Sequence, residues 1–264
     1  MELVDIGVNL THKSFCCDLD ETIMRARAAG VRRMVVTGTS VDESRAAQVL
    51  AVNYPGTLYA TAGVHPHDAR HFAADTPMVL RELVGRAGVV ALGETGLDFN
   101  RDFSPRPDQE KAFEAQLELA VELELPVFMH ERDAHQRFTN ILGRYRSRLK
   151  AAVAHCFTGD GEALAAYLDL DLHIGVTGWI CDERRGLHLR ELVRRIPLER
   201  LMLETDSPYL LPRTLQPKPK TRRNEPAFLP EVLAVVAGCL DMSQLQVATA
   251  TTQTARCFFN LPEA

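Results

Sequence analysis

A chain of 264 residues, 46% hydrophobic and 25% charged, has the length of one large globular domain and an ordinary charge content. Its net charge of −5 excludes a protein that coats duplex nucleic acid by bulk basic charge, although one local basic rim is compatible with it. No apolar run reaches the roughly 18 residues of a membrane span, and the opening MELVDIGVNL lacks a signal-peptide layout, so a cytoplasmic protein with no membrane partner is expected.

Eight strand candidates follow in order: LVDIGVNL, RMVVTGTS, TLYATAGVHP, GVVALGETG, PVFMHER, AAVAHCFTG, LHIGVTGW and LMLETDSP. Amphipathic segments separate them, with helix-start signals at Asp42, at Asp75–Thr76–Pro77 and at Asp160. Strands alternating with helices indicate parallel β/α units, and eight units fit a closed (β/α)8 TIM barrel. Two further helical stretches, around 226–241 and 243–259, extend past the eighth unit. No linker or composition shift interrupts the chain, so residues 1–264 read as a single domain. The six cysteines form no CxxC and lie largely in apolar surroundings; reduced, mostly buried thiols are expected. Strand alternation would turn Cys156 away from the side that His155 faces.

Four of the apolar runs end on metal-binding residue types: VVALGE at Glu94, PVFMH at His130, AAVAH at His155 and LMLETD at Asp206. In one barrel their carboxyl ends meet on one face. Carboxylate and imidazole together describe a catalytic divalent-metal site better than a structural one. Asp206 suits either a ligand or the base that takes a proton from an activated water, and Glu204 in the same ETDSP segment joins it as a catalytic candidate. Such a site hydrolyses phosphate esters or acyl bonds.

His65 and His67 flank Pro66 in GVHPHD, where an extended backbone would send both rings to one side. Both could bind metal, but they follow the strand in a loop, so His65 better fits contact with a substrate phosphate or protonation of a leaving oxygen, and His67 a substrate contact; a loop-fixing pair is the plain alternative. Asp98 and Arg132 lie just past Glu94 and His130, suited to orienting a ligand and to phosphate contact. The Pro-rich loop after strand eight carries Arg213, Lys218, Lys220, Arg222 and Arg223, and neighbouring loops carry Arg101, Arg106, Arg184 and Arg185. They read either as a solvated surface or as a phosphate-attracting rim. Phe99, Phe103, Trp179 and Tyr209 lie near strand ends, where unpaired bases can stack on them or where they simply pack.

The motifs DIGVNLT, GTSVDES, AGVHPHD, GETGLDFNRDFS, FMHERDAH, HCFTG, GWICDERRG, ETDSPYLLPR and RRNEPAFLP span nearly the whole chain. Together they resemble the TatD family of metal-dependent deoxyribonucleases, within the amidohydrolase-like barrels. The resemblance implies a (β/α)8 barrel, Mg2+-dependent 3′–5′ exonuclease action on single-stranded DNA or RNA, and a role in DNA repair and in clearing damaged nucleic acid. It also implies metal ligands at Glu94, His130 and His155, with Asp206 as a further ligand or base. One departure stands out. Most of the superfamily ends strand one on His-x-His, where this chain has Gly7-Val8-Asn9. Two imidazoles are thereby lost, so one firmly held cation and a weaker second position are expected, with Asn9 offering at most a carbonyl oxygen. The imidazoles by themselves suit Mn2+ or Zn2+. A monomer is expected. The competing enzyme class is acyl or small-ester hydrolysis on the same barrel, such as removal of a misattached amino acid from tRNA. A metal-free nucleic-acid binder is a third reading, against which Glu94, His130 and His155 speak.

Overall fold

In the computed structural model, which describes residues 1–263, every strand candidate forms a strand. They are β1 (Leu3–Val8), β2 (Val31–Val36), β3 (Leu58–Ala62), β4 (Val89–Asp98), β5 (Val127–Arg132), β6 (Ala152–Ala154), β7 (His173–Val176) and β8 (Leu201–Leu203). Their side chains are buried almost throughout, the pattern of a sheet covered on both faces, and this is why they read as continuous apolar runs rather than alternating ones. The strands lie in one sheet in chain order. Pairing is parallel from β3 through β6 and again between β7 and β8. A parallel bridge between Val8 and Ser207 joins the first strand to the segment after the last. The architecture is a (β/α)8 TIM barrel.

The helices are α1 (Leu19–Ala28), α2 (Val41–Asn53), α3 (Thr76–Val84), α4 (Arg106–Leu123), α5 (His135–Gly143), α6 (Gly161–Asp169), α7 (Leu187–Leu192), α8 (Leu229–Leu240) and α9 (Gln244–Phe259). Of the three start signals, Asp160 acts as expected, accepting the N–H groups of Glu162 and Ala163 at 3.0 and 2.9 Å. At α2 the cap is Ser40, whose hydroxyl accepts the Glu43 N–H at 3.1 Å; Asp42 falls inside the first turn. Asp75 precedes α3 without a side-chain cap bond, while Thr76 instead accepts the Ala73 N–H at 2.9 Å. The expectation of mostly buried thiols is wrong: Cys16, Cys17 and Cys257 are exposed, and only Cys181 is fully buried. The polar turns and helix faces that carry them outweigh their local apolar neighbours.

The described chain divides into two compact units. One holds Met1–Val35, Cys156–Leu164 and the chain from Ile174 onward; the other holds Val36–His155 and Ala165–His173. In the second unit, Phe113 of α4 stacks on Phe138 of α5 with ring centroids 5.2 Å apart, and Tyr167 of α6 meets Phe138 edge-on at 5.7 Å. Tyr167 also donates its hydroxyl to Glu131 at 2.8 Å, anchoring the carboxyl end of β5. In the first unit, Ser243 and Gln246 form a capping box at the start of α9. Asp5 lies fully buried in β1 and accepts both the backbone N–H and the hydroxyl of Thr205, at 2.9 and 2.6 Å. That pair fixes the corner just after β8.

Candidate metal centre

Glu94 does not end its strand, as the apolar run suggests. β4 continues to Asp98, and its register against β5 skips Glu94: Gly93 pairs with Phe128 and Thr95 with Met129. Glu94 is therefore the extra residue of a bulge, a device that re-aims one side chain without ending the ladder. Its N–H is still used, on the Gly38 carbonyl at 2.7 Å. Gly93 and Gly96 frame the bulge at φ 139° and 137°, where a Cβ would collide with the carbonyls of Phe128 and His130.

One oxygen of Glu94 gathers three imidazoles. His155 Nε2 lies 2.8 Å from Oε1, His130 Nδ1 3.1 Å and His65 Nε2 3.3 Å. His130 stands on β5; His155 follows β6 directly, its N–H on the Met129 carbonyl and its ring stacked on Phe128 at 4.6 Å. The potential ligand atoms of His65, Glu94 and His130 all fall within 4.8 Å of one another. The structure thus brings His65 among the potential donors, the less favoured of the roles its sequence position suggested. His65 and His67 do turn to one side, with centroids 4.3 Å apart, but the extended backbone ends at His65, which caps a 3-10 turn (Pro66–His71) and accepts the His67 N–H at 3.0 Å.

A second carboxylate backs this group. Asp98 Oδ2 meets His67 Nε2 at 2.6 Å and stands 3.5 Å from His130 Nε2. That His130 nitrogen is buried and makes no hydrogen bond. Imidazole nitrogens turned on one carboxylate oxygen, with a further carboxylate behind, form a donor set that fits a divalent cation. Two buried glutamines of α4, one heptad apart, hold the frame. Gln116 accepts the Val64 N–H at 2.8 Å and donates to Thr95 Oγ1 at 2.7 Å, so it grips the neighbours of both His65 and Glu94. Gln109 accepts the Asp98 N–H at 2.9 Å and donates to the Ser104 carbonyl at 2.9 Å. Sequence reasoning passed over both; the signal was an amide at i and i+7 on an otherwise apolar helix face.

Burial alone would raise the pKa of Glu94, but the adjoining imidazoles of His155, His65 and His130 hold it well below the ordinary value. Burial likewise works against the charge on Asp98, and the adjoining His130 and His67 imidazoles override it, so its pKa is lowered. Desolvation pushes His65 down to about 4, against the pull of Glu94. For His130 desolvation is outweighed by Asp98 and Glu94, and its pKa rises. In the cation-free protein, Glu94 and Asp98 contribute stability above the usual carboxylate range that is lost as pH falls through it. His65, neutral in the fold, destabilises progressively as pH drops from 6.5 towards its folded value. His130 has the opposite sign, its contribution disappearing as pH rises above its folded pKa. His65 acts between pH 6.5 and about 4 and the two carboxylates join it only below the usual carboxylate range, so the unfolding free energy of chelator-treated protein, read from urea melts, is expected to fall on going from pH 7 to about pH 3, by on the order of a few kcal/mol. A value equal or higher at the acid end would contradict this assignment.

In the other unit, Asp206 takes a left-handed conformation at φ 52° and accepts the amide N–H of Asn9 at 3.0 Å. Asn9 thus spends its amide nitrogen on positioning Asp206, and it also donates to the Ser207 carbonyl at 3.2 Å. Glu204 is fully buried and accepts the N–H of Cys156, which is itself left-handed at φ 48°. β6 has already ended at Ala154, so strand alternation does not govern Cys156.

The basic residues divide. Arg184, Arg185 and Arg222 are exposed, and Arg132 is half-buried. Arg223 is not a free rim charge: it binds both oxygens of Asp18 at 2.7 Å, Glu225 at 2.6 Å and the Ser14 carbonyl at 2.6 Å, and covers the Phe15 ring. Arg213 pairs with Glu183 at 2.7 Å, and Arg106 with Asp102 at 2.7 Å. Arg223→Ala is accordingly expected to cost stability, about 1–3 kcal/mol by loss of several charge-assisted bonds, with a lower thermal midpoint. Arg222→Ala should leave the midpoint unchanged. Equal midpoints for the two variants would return Arg223 to the rim.

A family profile described as "TatD related DNase" matches residues 4–260. The chain belongs to the TatD-related DNase family. Among TatD relatives, a protein of Yersinia pseudotuberculosis named 3′-5′ ssDNA/RNA exonuclease TatD is 52% identical over 259 residues, covering 98% of this chain and 100% of that protein. A Dickeya dadantii protein of the same name is 55% identical over 235 residues, covering 89% of each. The crystal structure of a TatD homologue from Escherichia coli K12 superposes with a TM-score of 0.89 at 30% identity, covering 98% of both chains.

Proposed function

We propose that this chain is a metal-dependent hydrolase of phosphodiester bonds, a 3′–5′ exonuclease acting on single-stranded DNA and RNA. The observation that carries the reading is the Glu94 carboxylate gathering His65, His130 and His155, in a chain whose near full-length relatives carry that name. Glu94, His130 and His155 would hold the cation, joined by His65, with Asp206 as a further ligand or the base. When bound, a divalent cation supplies Lewis acidity, lowering the pKa of a water and polarising the phosphoryl oxygen.

The chain's own groups do the rest in this reading. Asp206, held by Asn9, takes the proton of the attacking water, with Glu204 fixing the adjoining turn. His67, locked on Asp98, faces the substrate side of the cluster. Arg132, Arg184, Arg185 and Arg222 attract the phosphates; Arg223 leaves this set because its donors are committed. We assign Mg2+ as the working ion, ahead of Mn2+ and Zn2+, and one tight site. A monomeric cytoplasmic protein serving DNA repair, with residues 1–264 as one domain, completes the proposal. No helix among the described residues is by itself long and apolar enough to cross a membrane.

End-labelled single-stranded DNA and RNA, incubated with chelated protein and then with each cation, test the reading. Ladders shortening from the 3′ end, restored best by Mg2+, are expected. Hydrolysis of aminoacyl or small esters with intact strands would favour the acyl-hydrolase alternative. Calorimetric titration showing two equally tight ions would overturn the single-site assignment.

A further inference from the structure

The turn between β4 and α4 presents a large aromatic side chain to solvent beside the histidine cluster. Phe103 is 52% exposed, a high value for a residue of its size. Its ring meets His67 edge-on with centroids 4.7 Å apart, and His67 in turn meets His65 at 4.3 Å. Two ring contacts therefore separate Phe103 from a donor on Glu94, a separation on the scale of one nucleotide.

The turn that carries Phe103 is built to hold it still. Asp98 Oδ1 accepts the N–H groups of Asn100 and Arg101 at 3.0 and 2.8 Å. Ser104, the next residue, is fully buried; it donates to the His67 carbonyl at 2.8 Å and accepts the Arg70 N–H at 3.0 Å. Gln109 grips the Ser104 carbonyl from α4. The backbone on either side of Phe103 is thus tied to the same residues that frame the cluster, while the ring itself is left open. Phe99, at the start of the turn, differs: the Arg106 guanidinium lies over its ring at 4.3 Å. A rigidly mounted ring with an exposed face is a stacking surface whose ordering cost has already been met by the fold.

We infer that Phe103 is the platform on which a base adjoining the scissile phosphate stacks, and that it makes the enzyme prefer strands bearing bases over bare phosphodiesters. The inference rests on the exonuclease reading and adds to it the determinant of substrate class. Every nucleobase has a π-face, so this contact is indifferent to sequence and to the DNA or RNA sugar. It also favours an unpaired strand, because every base inside a duplex end has both faces engaged within the stack.

The test is a cycle between enzyme and substrate. Phe103→Ala, Phe103→Leu and Phe103→Trp are compared on a single strand carrying natural bases and on strands abasic at the last or the penultimate 3′ position. Aromatic–base stacking is worth about 1–3 kcal/mol per base, so Phe103→Ala should raise KM roughly tenfold on natural strands with kcat changed much less. The unaltered enzyme should suffer a comparable loss on one of the abasic strands, and Phe103→Ala no additional loss there. Trp should restore binding; Leu, apolar but without a π-face, should not. Quenching of 2-aminopurine at the affected position, measured in a Glu94→Gln background that binds without turnover, should disappear with Phe103→Ala. Unchanged KM in Phe103→Ala, undiminished abasic discrimination, persistent quenching, or equal rescue by Leu each overturns the inference. Failure of the unaltered enzyme to cut any strand would instead remove the exonuclease reading itself.

Discussion

Glu94→Gln is expected to reduce hydrolysis by about a thousandfold or more, the scale seen when a preorganised charge-stabilising group is lost, while the protein still unfolds cooperatively. Glu94 Oε1 is the point on which His65, His130 and His155 converge. Gln keeps the shape and one acceptor oxygen but removes the charge that draws both the imidazoles and a cation. Cation affinity should therefore fall along with the rate. Backbone organisation should survive, because the bulge is held by the Glu94 N–H on Gly38 and by the glycines on either side, not by the carboxylate. Single-turnover digestion, calorimetric cation binding and a urea melt separate these effects. A rate within tenfold of the unaltered enzyme would remove Glu94 from the chemistry; a non-cooperative melt would mean that its charge organises the fold.

What could be read from the chain and what could not follows from the range of the interactions. All eight strands were visible because a parallel barrel buries both faces of each, leaving apolar runs such as VVALG and PVFM. Glu94, His130 and His155 were visible for the same reason, as polar residues interrupting or closing those runs. The bulge at Glu94 was signalled only by the glycines of GETG, which do not say which residue is left unpaired.

The seat of His65 against Glu94 lay beyond reach of that reasoning. The residue sits past the end of β3, and its place is set by Gln116 holding Val64 from 52 residues away. No local pattern encodes that bond. Arg223 shows the reverse error: its charge is obvious, but its partner Asp18 stands 205 residues earlier. A sequence reports that a cation exists and not whether an anion already occupies it. Asn9 belongs to the same class. The loss of His-x-His was legible, yet its use as a support for Asp206 emerged only from the 197-residue closure between β1 and the segment after β8.

Gly96→Ala is expected to be among the most damaging small substitutions in the protein. Gly96 pairs in register with His130, at φ 137°, and an added Cβ would lie inside the van der Waals surface of the His130 carbonyl. Backbone atoms on a central strand cannot swing aside as a side-chain terminus can. Either β4 and β5 separate, or Gly96 abandons its conformation and shifts the bulge; both movements displace His130 relative to Glu94. A cost of about 3 kcal/mol or more is expected from strain and overpacking together. For a domain of this size that amounts to a drop of roughly 10 °C in the thermal midpoint, with weakened cation binding at temperatures where the variant remains folded. Gly238→Ala is the matched control. That glycine lies within α8, its added Cβ meets nothing within 4 Å, and a gain of about 0.5–1 kcal/mol is expected from helix propensity. The two variants make the same chemical change, so opposite shifts in midpoint isolate the close approach of β4 to β5. A Gly96→Ala protein that melts like the unaltered one and binds its cation as tightly would show that the strands beside His130 have room to spare, and that the placement of the ligand does not depend on their contact.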